Sequence, residues 1–391
     1  MVGACLACAL GDGPFKVALL DRRAGAPPQE DYDLRVSAIT LASRRIFENL
    51  GAWDDMRRRR VTPVAAMHVW DQGGSGSIDF DAAEIGEACL AYIVENSVIH
   101  AALLERLQQF TNVHYLCPVE VADIALAEAA AVVRLADARM LEARLVVGAD
   151  GADSPVRRAA GITTQGLDLN QKGIVGTVRT ENPHGGVARQ RFLATGPLAF
   201  LPLPETNACS IVWSADTKRA DELLALTETD FIAQLQAAFG EGLGKILSVG
   251  PRAAFALALA HARHYTAARV ALVGDAAHTV HPLAGQGVNL GFLDAAALSE
   301  VLRAAAARRR DPGEHAVLRR YERLRKGDNL AMIALTGGLR FVFGNSWPLV
   351  RGLRNAGLDL TDRAAPLKHF LMRRASGLVG DLPALARAPG A

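Results

Sequence analysis

Residues 269–294 read RVALVGDAAHTVHPLAGQGVNLGFLD. The stretch opens with a short apolar run, Val270 to Val273, β-branched at both ends and of strand length. It stops at Gly274-Asp275, passes through a loop containing Pro282, and reaches Gly285-Gln286-Gly287. A segment of helical period follows, with apolar Val288, Leu290, Leu293, Ala297, Leu298, Val301 and Leu302. A carboxylate at the carboxyl end of a parallel strand faces the crevice where α/β sheets bind ligands, so Asp275 is placed to accept hydrogen bonds from a chain of hydroxyls. Gly285 and Gly287 carry no Cβ, so the backbone there can approach a flat ring closely. The N–H groups and dipole at the start of the following helix stabilise negative charge. The glycines alone mark an ordinary βα unit. The full string G-D-A-A-H-x-x-x-P-x-x-G-Q-G-x-N-x-G-x-x-D, which also takes in Asn289, is far more specific.

Upstream, two segments complete a nucleotide-binding pattern. Met1 to Leu10 is small and apolar and reads as a helix, and Lys16 to Asp21 reads as a buried strand ending in an acid. In a dinucleotide-binding βαβ unit that acid holds ribose hydroxyls about 20 residues after the glycines. Asp21 lies 18 residues after Gly3, which makes Gly3 the last glycine of G-x-G-x-x-G. This reading puts the first strand and first two glycines outside the given sequence, and expects a chain extended upstream to hold its nucleotide more tightly. Cys5 and Cys8 lie one helical turn apart; small thiols packing on a sheet explain them better than a metal pair without further ligands. Arg35 precedes a segment of helical period that ends at Gly51, and its forked donors suit a pyrophosphate. Leu145 to Val147 reads as a strand entering the tight turn Asp150-Gly151, followed by Ser154 and Arg157.

Between these segments the period changes. Residues 61–92 carry short alternating runs and a Gly/Ser turn, so they read as β-structure leaving the nucleotide domain, and Ala91 to Leu107 reads as a helix. Three alternating runs, Gly173 to Arg179, Arg189 to Pro204 and Ala208 to Trp213, read as antiparallel strands; residues 229–239 read as a helix. These runs offer many apolar and few ionic groups. Phe255 to Leu259 leads back, and helices follow Arg310. Phe341 to Trp347, near Arg340, Arg351 and Arg354, reads either as internal helix packing or as a membrane-surface or partner patch.

Composition bounds the rest. A length of 391 residues gives two or three domains, and a net charge of +2 gives no support to a nucleic-acid partner. Five scattered cysteines fit a reducing compartment better than a disulfide framework. No apolar run reaches the about 18 residues that span a bilayer. The run Arg57 to Arg60 reads as a solvated face, with anionic lipid as its other use. His278 and His281 form H-x-x-H in a proline loop, where a specific metal geometry is missing; no metal site is assigned.

The string around Asp275 resembles the second flavin-binding motif of the FAD-dependent aromatic-ring monooxygenases, and 148–157 is similar to their motif G-A-D-G-x-x-S-x-V-R. The Arg35 segment, residues 196–204 and 210–214, and Tyr321 to Leu378 resemble the ubiquinone-biosynthesis hydroxylases within that family. The resemblance implies an α/β fold like that of para-hydroxybenzoate hydroxylase. A Rossmann-like FAD-binding domain (1–60, 93–165 and 254–330) would carry an inserted, mainly antiparallel substrate domain (61–92 and 166–253) and C-terminal helices (331–391). It implies FAD contacts at Gly3, Asp21, Arg35, Asp150, Gly151, Arg157, Gly274, Asp275, Pro282, Gly285, Gln286, Gly287 and Asn289. The implied reaction hydroxylates a polyprenylated phenol with O₂ through a flavin C4a-hydroperoxide, NAD(P)H or another donor supplying electrons. No general base is chosen. The resemblance further implies a cytoplasmic protein with peripheral contact at the inner face of the membrane and with other quinone-synthesis proteins. Two alternatives stand beside it: a hydroxylase of a small soluble aromatic, and a flavin-poor accessory subunit of a quinone-synthesis complex.

Overall fold

The computed structural model describes residues 1–25, 27–74, 76–280, 286–343 and 348–388. Helix α1 (Val2–Ala9) leads to β1 (Val17–Leu20), β2 (Val36–Thr40), α2 (Leu41–Leu50) and α3 (Trp53–Arg59). Strands β3 (Thr62–Val64), β4 (Ala66–Asp71) and β5 (Ser77–Asp81) depart, and β6 (Ala91–Glu95) returns to α4 (Asn96–Leu107) and β7 (Val113–Leu116). A meander of β8 (Val121–Leu126), β9 (Ala131–Leu135) and β10 (Met140–Ala143) precedes β11 (Val146–Gly148) and α5 (Pro155–Ala159). Then come β12 (Thr164–Thr180), β13 (Val187–Leu193), β14 (Gly196–Pro202), β15 (Ala208–Asp216), α6 (Thr217–Leu224), α7 (Glu228–Phe239) and β16 (Ile246–Ala262). The chain ends in β17 (Thr266–Ala267), β18 (Val270–Leu272), β19 (His278–Thr279), α8 (Gln286–Ala307), α9 (His315–Phe343), α10 (Pro348–Arg363) and α11 (Ala365–Ala375).

Parallel pairs β1–β7 and β11–β18 form the nucleotide-type half, with α1, α4 and α8 packed against them around one core. Gly3 allows α1 to sit close: a Cβ there would lie 3.2 Å from Ala149 Cβ and 3.4 Å from a Leu19 methyl. Cys5 and Cys8 are buried in this core, and burial pushes the Cys8 thiol up to about 12, so they pack as small apolar groups. Helix α2 is set by local chemistry: the Thr40 side chain accepts from Ser43 N–H, and Gly51 ends it at φ 75°. The residues 36–40 just before it form a strand, so Arg35 precedes β2 rather than the helix. Likewise 91–95 is strand β6, paired to β2 and β3, and the helix begins only at Asn96.

The second half is an eight-stranded, mostly antiparallel sheet in the order β19-β16-β12-β15-β14-β13-β4-β5. Alternation gives it two different faces. Leu198, Phe200, Ile211 and Trp213 pack against α6 and α7 in a separate core. Their neighbours Pro197, Ala199, Leu201, Ser210, Val212 and Ser214 face the other way, over a cavity. The run Arg57 to Arg60 is used in ion pairs: Arg58 and Arg59 reach Asp55 at 3.1 and 2.9 Å, and Arg60 reaches Glu95 at 2.7 Å.

Candidate active site

The cavity under the sheet is large, about 1310 Å³. A single small-molecule site measures roughly 300–1,000 Å³, so this one has room for two ligands side by side. One end lies against the nucleotide-type half, where α1 and α8 begin: Val2 and Gly287 line it, with Arg35, Gly151 and Asp275. The other end is walled by Met67, Val69, Ile78, Phe80 and Phe192 from the far strands of the sheet.

Asp275 follows β18 in a short 3-10 turn, 274–276, opened by Gly274 at φ 60°. The carboxylate looks into the cavity but lies deep in the protein. Burial pushes its pKa up, while His278 and Arg35 pull against that shift. The Arg35 guanidinium lies over the Phe255 ring, 4.9 Å from its centroid. Gly151, at φ 87°, lets the turn after β11 fold back without a side chain. Gly287 lies in the first turn of α8, with Val280 3.4 Å from where a Cβ would be. Thr279 lines the same cavity, but its Oγ1 is shut off from it and has no hydrogen-bond partner among the described residues. A flat, polyhydroxylated, anionic cofactor suits this set: a carboxylate for hydroxyls, an arginine for phosphate, and glycines where backbone meets a ring. FAD fits that description.

Four of the expected cofactor residues, Arg35, Gly151, Asp275 and Gly287, thus come together in one lining. The other described ones do not line it. Asp21 follows β1, 3.9 Å from His100 Nε2, and its charge acts on the amino group of Met1, a lining residue. Asp150 caps α5 by accepting the Val156 N–H at 3.0 Å. Arg157 donates to Ala276 O at 2.9 Å and Ala152 O at 2.5 Å, tying the two acidic turns together. Asn289 is likewise held by backbone. It donates to Ala38 O at 2.8 Å and accepts from Thr40 N–H at 3.0 Å, so its amide fastens α8 to β2. Pro282 and Gly285 lie outside the described residues, as does the side chain of Gln286.

The sequence reading missed the group that holds the Asp275 turn. Asp294 on α8 is fully buried. One carboxylate oxygen accepts from Gly274 N–H at 3.1 Å and lies 2.5 Å from His278 Nε2. The other accepts from Arg325 Nε at 2.9 Å and Asn329 Nδ2 at 3.1 Å, both on α9. Burial alone would raise this carboxyl, but His278 and Arg325 outweigh it and hold it down at about 2. Asp294 closes the quoted motif, so its position was visible; its partners, on another element, were not. His278 is thereby engaged with a carboxylate.

Comparison with known proteins agrees with this geometry. Residues 1–333 match the family model described as FAD binding domain. The chain is 39% identical to the ubiquinone hydroxylase of Rhodospirillum rubrum, over 96% of this chain and 87% of that protein. It is 36% identical to the 3-demethoxyubiquinol 3-hydroxylase of Escherichia coli, over 97% and 96%. It is also 36% identical to the mitochondrial ubiquinone biosynthesis monooxygenase of Danio rerio, over 96% and 88%. The crystal structure of p-nitrophenol 4-monooxygenase from Pseudomonas putida shares the fold at a TM-score of 0.78 and 21% identity, covering 97% of this chain and 96% of that one. With the flavin-suited cavity end and these relatives, the chain belongs to the FAD-dependent aromatic-ring monooxygenases, in their ubiquinone-biosynthesis hydroxylase branch.

Proposed function

We propose that this chain hydroxylates the aromatic ring of a polyprenylated phenol in ubiquinone biosynthesis, with FAD as cofactor, O₂ as co-substrate and NAD(P)H or another donor supplying electrons. The observation that carries this reading is the single continuous cavity, with a glycine-lined polar end at Asp275 and Arg35 and a long apolar remainder. FAD, when bound, supplies the activation of O₂. The protein's own residues do the positioning. In this reading Asp275 accepts hydrogen bonds from the cofactor's hydroxyls, Arg35 pairs with its phosphates, and the start of α8 favours negative charge on its ring. Ser37 donates to Asn96 Oδ1 at 2.6 Å at the cavity wall, so Asn96 retains an NH₂ donor for a phenol oxygen. The sheet excludes water from the reacting ring. In this reading FAD domain segments 1–60, 93–165 and 254–330 hold the cofactor, and 61–92 with 166–253 cover the substrate.

A second reading, hydroxylation of a small carboxylated aromatic, is favoured by Arg374, a cation that also lines the cavity. Membrane contact and association with other quinone-synthesis proteins are further parts of the proposal; among the described residues no helix is long and apolar enough to cross a membrane. The test is a mass profile of quinone intermediates in cells lacking the gene, beside turnover assays of the FAD-loaded protein. A prenylphenol lacking one ring oxygen is expected to accumulate, and a prenylated phenol to gain one oxygen in vitro. An unchanged profile together with turnover of benzoates alone would replace the first reading by the second.

A further inference from the structure

Arg35 is held by a ring, where other arginines of this chain are held by carboxylates. Arg60 reaches Glu95 at 2.7 Å, and Arg325 reaches Asp294 at 2.9 Å. The Arg35 guanidinium has neither an ion pair nor a hydrogen bond among the described residues. It rests over the Phe255 ring, 4.9 Å from the centroid. The acid nearest in sequence is engaged by backbone: Asp33 accepts the Arg35 N–H on one carboxylate oxygen and the Ser97 N–H on the other, both at 3.2 Å. Asp275 shares the cavity lining and feels the Arg35 charge, but no ion pair joins the two.

The two residues come from opposite halves of the molecule. Arg35 stands at the head of β2, where its carbonyl accepts the Asn96 N–H at 3.0 Å, so the nucleotide-type half fixes the root of the side chain. Phe255 belongs to β16 of the large sheet, directly opposite Gly173 of β12. Gly173 leaves room for it: a Cβ there would lie 3.4 Å from the Phe255 ring and 3.3 Å from a Leu257 methyl. Arg35 and Phe255 both line the cavity, Arg35 exposed and Phe255 half-buried. The kind of partner decides what the guanidinium can still do. A carboxylate would occupy its donors and cancel its charge. An aromatic face attracts the cation through the ring quadrupole and takes none of its five N–H donors. The whole fork stays free for bidentate contact with a phosphate. A long side chain held in place beforehand also loses less freedom when the anion arrives.

We infer that Phe255 is a positioning residue for FAD: its ring holds the Arg35 guanidinium in place for the pyrophosphate of the cofactor. This role rests on the reading of Arg35 as the phosphate partner. Through the contact, the sheet that covers the substrate also takes part in holding the cofactor.

The test is a double-mutant cycle on FAD affinity. FAD is removed from the full chain and titrated back, and the change in flavin fluorescence gives Kd. Phe255→Leu is expected to raise Kd about fivefold. Phe255→Tyr keeps the aromatic face and should leave Kd within about twofold. Arg35→Gln removes the cation and should raise Kd more than about tenfold. In the Arg35→Gln background, Phe255→Leu should add nothing, because the ring has no cation left to hold. A merely structural effect of the ring would add its full factor there. Melting temperatures check the fold of each variant, and Phe255→Met replaces Phe255→Leu if the latter is unstable. An unchanged Kd in the folded Phe255→Leu variant, or a rise that persists in the Arg35→Gln background, overturns the positioning role and leaves Arg35 as the phosphate partner. An unchanged Kd in Arg35→Gln overturns the phosphate reading of Arg35, and the role of Phe255 falls with it.

Discussion

At Asp294 four donors converge on one buried carboxylate, and each comes from a part of the site that must be held still. Gly274 N–H belongs to the turn that presents Asp275, His278 follows it, and Arg325 and Asn329 come from α9. Replacing Asp294 by Asn removes the charge and points an NH₂ at one of the donor pairs. Arg325, 2% exposed, then keeps the Asn329 Oδ1 acceptor at 2.9 Å and one carboxylate among the described residues, Asp328 at 3.3 Å. Removing one partner of a buried pair costs about 3–5 kcal/mol; the retained Asp328 contact puts the expected loss near the lower end, about 3 kcal/mol, read from urea melts. A loss below about 1 kcal/mol would show that Asp328 and Asn329 suffice for Arg325. The pH dependence follows from the depressed carboxyl, about 2 when folded against an ordinary 3.8. A depressed acid stabilises the fold above its unfolded value and loses that contribution as pH falls through its folded one. The unsubstituted chain should therefore lose about 2 kcal/mol more stability than Asp294→Asn on acidification across that window.

At the scale of elements, the start of α8 is fastened to β2 by one amide. Asn289 bridges Ala38 O and Thr40 N–H, and Thr40 in turn caps α2. Asn289→Leu keeps the volume and leaves the Thr40 N–H buried without this acceptor, a cost of about 1–3 kcal/mol. Because β2 and α8 both border the cavity, weakened flavin retention during gel filtration should accompany the lower melting temperature. Full flavin retention with lowered stability would separate the clamp from the cofactor site. Elements differed in how far local sequence revealed them. The strand at 270–272, the helix after Gly287 and the helix ending at Gly51 were legible, because each has its own period and its own stop. Strand β6 was not: Ala91 to Val94 is apolar and neither Gly nor Pro separates it from α4, so the sequence reads as one helix across both. Strands β12 and β16 each extend over 17 residues, well beyond the runs that alternation marked. Residues 164–168 are exposed on both faces, and only the pairing with 258–262 makes them a strand. Such a partner, some ninety residues away, leaves no local signal. The Asp294 cluster was hidden for the same reason, since a buried acid announces itself only through cations that the fold brings from elsewhere.

The whole molecule is two cores with a cavity between them, and the sheet serves both at once. Leu198 and Phe200 hold β14 to the α6–α7 core, while Ala199 between them faces the cavity. A side chain enlarged at 199 should therefore intrude on the cavity without disturbing the packing behind the sheet. In Ala199→Phe the added ring has no room in the sheet plane and must occupy space that the substrate's tail would use. Flavin content and melting temperature should stay near their original values, because the residues facing the cofactor end come from other strands and helices. Turnover should then depend on chain length. A phenol with one isoprene unit should react nearly as before, whereas KM for long-chain phenols should rise by about one order of magnitude, since even one lost CH₂ contact is worth about 0.8 kcal/mol. The measurement is kcat and KM across a series of prenyl lengths in detergent, which removes the bilayer from the comparison. A uniform fall in kcat at every length would place Ala199 over the reacting ring instead. In that case the tail would run along the β4–β5 side of the cavity, past Ile78 and Phe80.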